Sequence, residues 1–266
     1  MLQKTYSIYS EDLNSQQLFI EIGNNHLACW CKKAGEKKFT AFEFFQCEDY
    51  DASTFEHLIS QAKLYSKLLT LDVEVKTIVW LTDKKLVLPA LVNISEEFIK
   101  DNFMLVYGNG SNSKFITRNF EDYVVVTSIE NYMFNAVRNV FPKADFQPAY
   151  QITKSREDVI RLFLYPNYFS VIVYKDEKLH FFQTKYYSNP EEVLYSVLNI
   201  IEQYQIDKNI KIAAGGFIDA HSKLYDLLHQ YLEGLELGSV DERLFVPAEF
   251  KDYPQHYFLP YVNYLT

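Results

Sequence analysis

An α/β fold built from two similar halves is predicted by three observations. Residues 18–31, Leu-Phe-Ile-Glu-Ile-Gly-Asn-Asn-His-Leu-Ala-Cys-Trp-Cys, read as an apolar strand, a glycine-asparagine turn and a strand running back beside the first. Leu162 to Val173 repeats that outline around Tyr165-Pro166-Asn167, with one residue dropped from the turn. Each copy then continues into a third apolar stretch (Phe39 to Cys47, Leu179 to Tyr187), an amphipathic helix and a buried strand. A chain of 266 residues suits two domains of about 100–150 residues, so the expected division is 1–150 and 151–266, each with a mixed five-stranded sheet.

Taken in order, residues 1–16 are polar and turn-rich, and Leu18 to Ile22 forms the first strand, closed by Gly23-Asn24-Asn25. From His26 the pattern alternates, with Leu27, Cys29 and Cys31 on one face and Ala28 and Trp30 on the other. Ser53 with Glu56 three residues on is a capping-box signature, and Phe55, Leu58, Ile59, Ala62, Tyr65 and Leu69 carry a helix over about 53–71. Val75 to Leu81 is a near-continuous apolar run, as in a strand covered on both faces. The stretch from about 83 to 120 breaks the repeat and reads as an inserted subdomain, with a helix capped by Ser95 and a flexible tip at Gly108-x-Gly110. Tyr123 to Ser128 is expected to resume the sheet, followed by a helix of about 129–140 and a last strand, Ala144 to Tyr150.

In the second half Asn189-Pro190 starts a helix whose stripe is Val193, Val197, Ile201 and Tyr204. Ile210 to Ala214 is the next strand, closed by Gly215-Gly216. Asp219 is positioned to cap a helix of about 220–233 that buries Leu224, Leu227, Leu228 and Tyr231. One more strand and a final helix around Pro254 to Leu265 complete the chain.

Composition narrows the function. Charged residues are 23% and hydrophobic ones 48%, ordinary for a folded protein. The formal charge of −9, from 26 Lys plus Arg against 35 Asp plus Glu, and the lack of a long basic run argue against nucleic acid. No stretch reaches the roughly 18 apolar residues of a membrane span, and the first residues lack a signal-peptide pattern. Three cysteines do not make a disulfide framework, so a reducing, cytoplasmic setting is expected; the sequons at Asn93 and Asn109 are then coincidences. The 21 Tyr and 21 Phe fit either adhesive surfaces or a compositional bias. His26, Cys29 and Cys31 invite a zinc reading, but strand alternation sends His26 to the opposite face and no second ligand pair follows. No metal site is expected there. The remaining histidines show no spacing that suggests a nucleophilic triad.

The order of elements, the duplicated turn and Ala213-Ala214-Gly215-Gly216 at a strand end resemble the actin-like ATPase superfamily, with its ribonuclease H-like lobes. Within it the chain is similar to the bacterial branch of FtsA, PilM and the cytoplasmic domain of GspL, and to a bacterial family of unknown function with that fold. Leu86-Val87-Leu88-Pro89, Ser95-Glu96-Glu97-Phe98-Ile99 and Tyr123-Val124-Val125-Val126-Thr127 look like that branch's inserted segment and return strand. The resemblance implies ATP between two lobes, held by an Asp-x-Gly turn from each. Glycine lets backbone N–H groups approach phosphate, and the carboxylate organises hydrated magnesium.

On that resemblance the candidate nucleotide contacts are Glu21, Gly23, Asn24 and Asn25 from the first turn, and Gly215, Gly216 and Asp219 from the second half. The first turn has Glu21 in place of Asp. The second, Tyr165-Pro166-Asn167, has neither acid nor glycine, and Lys175-Asp176-Glu177 is the only acidic stretch nearby. A bland reading stands beside each: a hairpin turn for Gly23-Asn24-Asn25, and close helix packing for Gly215-Gly216. The preferred expectation is a catalytically degenerate scaffold that binds a protein or a cytoplasmic peptide tail, with a homodimer as one assembly option. The alternative is an ATPase with ATP and magnesium in the cleft and Asp176 or Asp219 as second carboxylate. A sugar kinase, which needs a catalytic Asp in the second turn, comes third.

Overall fold

The structure, a computed structural model, describes residues 2–13, 16–48, 50–73, 76–90, 94–108, 112–149 and 157–265. Val75, Leu91, Asn93, the tip residues 109–111 and the joint at 150–151 lie outside the described residues. The chain divides into two compact units, Met1–Ala149 with Phe245–Pro247, and Tyr150–Leu244 with Ala248–Thr266.

The first unit contains β1 (Leu2–Tyr9), β2 (Gln16–Ile22), β3 (His26–Lys33), β4 (Phe39–Cys47), α1 (Ala52–Tyr65), β5 (Lys76–Trp80), β6 (Lys85–Pro89), α2 (Glu96–Tyr107), β7 (Ser113–Asn119), β8 (Tyr123–Glu130), α3 (Asn131–Val140) and β9 (Asp145–Pro148). Its main sheet has six strands in the order β1-β4-β3-β2-β5-β9, one more than expected. The extra strand is β1, which falls in the stretch read as turn-rich. It pairs antiparallel with β4, with a bulge between Lys4 and Tyr6, and buries Leu2 on one side of the bulge and Tyr6 and Ile8 on the other. Tyr6 stacks on Phe42 and Phe44 with ring centres 5.6 and 5.7 Å apart.

Glu43, fully buried in the middle of β4, fastens three segments at once. It accepts hydrogen bonds from Lys4 Nζ at 2.8 Å, from the hydroxyls of Tyr9 and Ser66, and from the Lys67 backbone N–H at 3.0 Å. Ser66 is also where α1 stops, its N–H closing on Ala62 O at 2.9 Å. The helix therefore ends at Tyr65, six residues before the expected 71. Leu68 and Leu69 are buried in the following turn, which is why the apolar spacing ran on. The N-cap is Asp51 rather than Ser53: Asp51 Oδ1 accepts from Ser53 N and Thr54 N, and Thr54 Oγ1 accepts in return from Asp51 N. Hydrogen bonds from the Ser53 and Thr54 hydroxyls to Asp51 Oδ1, with those from the two backbone N–H groups, hold the Asp51 carboxyl down at about 2.

The insert has a sheet of its own, β6-β8-β7, wholly antiparallel. Ile99 and Phe103 of α2, which Ser95 caps as expected, pack with Val124 and Val126. β8 was expected to resume the main sheet from Tyr123, but it is the central strand of the insert. An apolar run marks a strand with two neighbours without saying which sheet holds it. Across the main sheet α1 and α3 cover the face bearing Leu18, Ile20, Leu27, Cys29, Cys31 and Phe45.

The second unit contains β10 (Val159–Leu164), β11 (Tyr168–Lys175), β12 (Lys178–Tyr186), α4 (Pro190–Gln203), β13 (Lys211–Gly216), α5 (Lys223–Tyr231), β14 (Leu235–Leu237) and a closing 3-10 helix (Gln255–Leu265). Its sheet runs β12-β11-β10-β13-β14, the same plan as β4-β3-β2-β5-β9. Two antiparallel hairpin strands, a first strand, then two strands parallel to it recur in both. Asn189 caps α4 through Glu192 N at 3.1 Å, and Val193, Val197 and Ile201 are buried, whereas Tyr204 is the C-cap and is exposed. α5 is shorter than the expected 220–233 and its cap is Ser222, not Asp219. Leu228 is buried, and Tyr231 is 54% exposed rather than part of the stripe.

Candidate functional site: two equivalent turns

In the first unit the β2–β3 turn is closed by Gly23 N–H to His26 O at 3.0 Å. Cys47 N–H donates to Asn25 O at 2.8 Å, and Leu81 N–H to Ile22 O at 2.9 Å. Gly23 O accepts from Tyr50 OH at 2.8 Å. Glu21 and His26 have fully buried side chains, and Glu21 Oε1 lies 2.9 Å from His26 Nε2. The His26 ring stacks on Phe44 at 5.2 Å. Lys85, buried at the start of β6, has its ammonium pushed down to about 7 by burial, against the opposing pull of Asp83 and Glu21. Asn24 is half-buried, and Asn25 is buried with no donor to its Oδ1 among the described residues.

The second unit repeats this turn bond for bond. Tyr165 N–H donates to Tyr168 O at 2.9 Å, Tyr187 N–H to Asn167 O at 2.9 Å, and Phe217 N–H to Leu164 O at 2.7 Å. The two turns are therefore the same length, and no residue is dropped. Asn167 answers Asn25, and its Oδ1 likewise meets no donor among the described residues. This register puts Phe163 where the first turn has Glu21, and Tyr165 where it has Gly23. Tyr165 is fully buried, stacked on Tyr168 at 4.7 Å, with its carbonyl held by Tyr187 OH at 2.8 Å. Asp176 does not supply the missing acid. It forms with Glu177 the positive-φ turn between β11 and β12, at the far end of β11, roughly 25 Å along the strand.

Gly215 and Gly216 end β13 beside β10, and packing accounts for both. Gly216 has φ +82°, and a Cβ there would lie 2.4 Å from Leu164 O. A Cβ on Gly215 would lie 2.8 Å from Leu259 Cβ of the 3-10 helix. Asp219 is exposed and takes His221 N–H at 2.6 Å in a tight turn. Thus Glu21, Gly23, Asn24 and Asn25 share one turn, while Gly215, Gly216 and Asp219 share the end of one strand in the other unit.

Two features bear on the magnesium-ATP contacts that the resemblance implies. The Glu21 carboxylate is engaged by His26 in the interior, and the second turn offers phenyl and phenol side chains where a carboxylate and a bare backbone are needed. His26 was the partner that the sequence reading missed. It was legible in the hairpin register, which sets Glu21 opposite Ala28 and so puts His26, two residues away, on the face of Glu21. Cys29 and Cys31 sit on the other face, in the core. Burial first, then the charge of Glu43, pushes both thiols up, Cys31 to about 12. No group of three metal-ligating side chains occurs among the described residues, and none of their helices is long and apolar enough to cross a membrane.

Solved structures show the fold. A Bacteroides thetaiotaomicron VPI-5482 protein with actin-like ATPase fold and unknown function matches with a TM-score of 0.66 at 11% identity, over 82% of this chain and 89% of that one. The PilM–PilN type IV pilus biogenesis complex matches with a TM-score of 0.61 at 12% identity, over 94% and 98%. The ethanolamine utilization protein EutJ from Carboxydothermus hydrogenoformans matches at 0.53 and 9%, over 97% and 92%. The two sheets with flanking helices are thus duplicated actin-like lobes. No curated protein matches. Residues 4–235 match a family described as "Protein of unknown function (DUF3822)", and the chain belongs to that family.

Proposed function

We propose that this protein is a binding module for a protein or peptide partner, built on actin-like lobes that no longer hold magnesium-nucleotide. The observation that carries this reading is the pair Phe163 and Tyr165, standing in the second turn where the first has Glu21 and Gly23. A phosphate clamp needs a carboxylate and close backbone approach from that turn, and two buried aromatic side chains supply neither. The engagement of Glu21 by His26 supports it from the other unit. The likeness to PilM, whose structure is a complex with PilN, supports a protein as the kind of partner, and a cytoplasmic peptide tail is the form we propose for it.

Calorimetric titration of the purified protein with ATP and ADP, with and without magnesium, tests the reading. The expected result is no heat of binding at millimolar nucleotide. Magnesium-dependent binding at micromolar affinity overturns it. A nucleotide-binding reading retains one observation in its favour, the buried Asn25 Oδ1, which meets no donor among the described residues, beside a turn that keeps Gly23. Magnesium-independent binding abolished by Asn25→Leu in a folded protein would favour that second reading.

A further inference from the structure

On the face of the second unit's sheet away from α4 and α5, β10, β13 and the closing 3-10 helix enclose a cleft of about 250 Å³. Its floor is low because Ala213 and Gly238 are small, and a Cβ on Gly238 would lie 2.4 Å from Leu259 Cδ2. Its walls are mixed, with Val159, Leu259 and Val262 apolar and Ser239 and Asn263 polar. Arg161, half-buried on β10, is one of the residues lining this cleft. Arg161 has no carboxylate partner among the described residues. Its interaction there is with the ring of Tyr174, 5.2 Å below the guanidinium carbon, and a guanidinium stacked on an aromatic face keeps its edge N–H groups free to donate. Tyr174 is itself 1% exposed, and its hydroxyl has no hydrogen-bond partner among the described residues.

We infer that the cleft binds a carboxylate carried on a short apolar stem, with Arg161 as its anchor. A planar fork matches a carboxylate by two parallel hydrogen bonds, and the volume is below that of a drug-sized site, enough for one branched aliphatic group. The rim charges do not decide the matter. Lys211 and Glu236 pair at 2.7 Å, and Glu157 adds a negative charge beside them, so the selectivity rests on the Arg161 guanidinium. The same chemistry arises from a free short-chain acid or from the C-terminal residue of a peptide. This inference does not rest on the nucleotide reading, although Phe163, the counterpart of Glu21, also lines the cleft.

The experiment is an amide and side-chain NMR titration of the full chain with isovalerate, with acetyl-Gly-Gly-Val, and with the same peptide carrying a C-terminal amide. Shifts centred on Arg161, Ala213, Gly238 and Leu259, with saturation at about millimolar concentration, are expected for at least one of the two acids. Binding of both acids identifies a free-acid site, and binding of the peptide alone a C-terminus site. The amide is expected not to bind. Arg161→Gln should weaken the acid by roughly tenfold or more, and Arg161→Lys should restore only part of it. Absence of binding at 10-fold higher concentration, on the order of 10 mM, equal binding of the amide, or shifts located elsewhere would overturn the inference. The mapping on the unaltered protein keeps it testable if Arg161→Gln fails to fold.

Discussion

Glu21 Oε1 and His26 Nε2 lie 2.9 Å apart, across one hairpin turn, with neither side chain reachable by solvent. The contact ties the one acidic residue of the first turn to the strand that follows it, so its main work is holding the hairpin. A carboxylate taken from water is tolerated only with partners, and removing one of them leaves it less well compensated.

Glu21→Ala is therefore expected to lower stability by about 3–5 kcal/mol, read as a shift in the urea midpoint. His26→Leu alone should cost a similar amount, and Glu21→Leu with His26→Leu should cost less than the two single changes added. Additive losses would show that the pair is not coupled. Glu21→Ala is consequently a poor probe of nucleotide binding unless its fold is checked first.

Gly216 is expected to tolerate no side chain. Its φ of +82° and the 2.4 Å approach to Leu164 O predict that Gly216→Ala loses about 2 kcal/mol or more, with amide exchange accelerating along β10 and β13. Unchanged exchange would mean that the backbone there shifts freely.

Glu43→Ala should release β1. With Lys4, Tyr9, Ser66 and Lys67 N–H all deprived of their acceptor, the cost is expected to be about 3–5 kcal/mol. Limited proteolysis should then cut within 2–13 before any other site. Protection equal to the parent protein would show that the apolar contacts of Leu2, Tyr6 and Ile8 hold the strand unaided.

His256 supplies a pH signature. Its Nε2–H donates to Ile218 O, 2.7 Å away, and burial lowers its pKa below 6.5, outweighing that bond and the charge of Asp219. The unfolded chain then binds this proton first, so stability falls as pH drops through about 6.5. His256→Gln should flatten the melting temperature between about pH 7 and pH 5 relative to the parent protein. An unchanged slope would assign that dependence to other groups.

The duplicated plan was legible because strand and helix periods are written in the side chains: two apolar runs around a turn, then a third run, then helical spacing, twice over. What escaped was information held in pairing. β1 reads as polar because Gln3, Lys4, Thr5 and Ser7 interrupt its buried residues and a bulge between Lys4 and Tyr6 breaks the alternation, so only its partner β4 reveals it. β8 was assigned to the wrong sheet because an apolar run does not name its neighbours. The helical spacing of α1 runs on past Tyr65 because Leu68 and Leu69 continue its period by way of a turn, and Asp219 resembles a cap one turn early because it and Ser222 compete for that role. At the site, the second turn's lack of acid and glycine was visible directly. Its equal length, and hence the pairing of Phe163 with Glu21 and Tyr165 with Gly23, needed the hydrogen bonds.

The three residues Phe245–Pro247 belong to the first unit, where Val246 N–H meets Phe39 O at 2.9 Å and Phe245 stacks on Phe39 at 5.6 Å. The chain thus returns to finish a lobe it had left about a hundred residues earlier. A polypeptide ending at Ala149 would present Phe39, otherwise wholly enclosed, with its carbonyl unmatched. The lobes share one length of covalent chain in addition to the joint, and neither is a cassette that can be excised at a single cut.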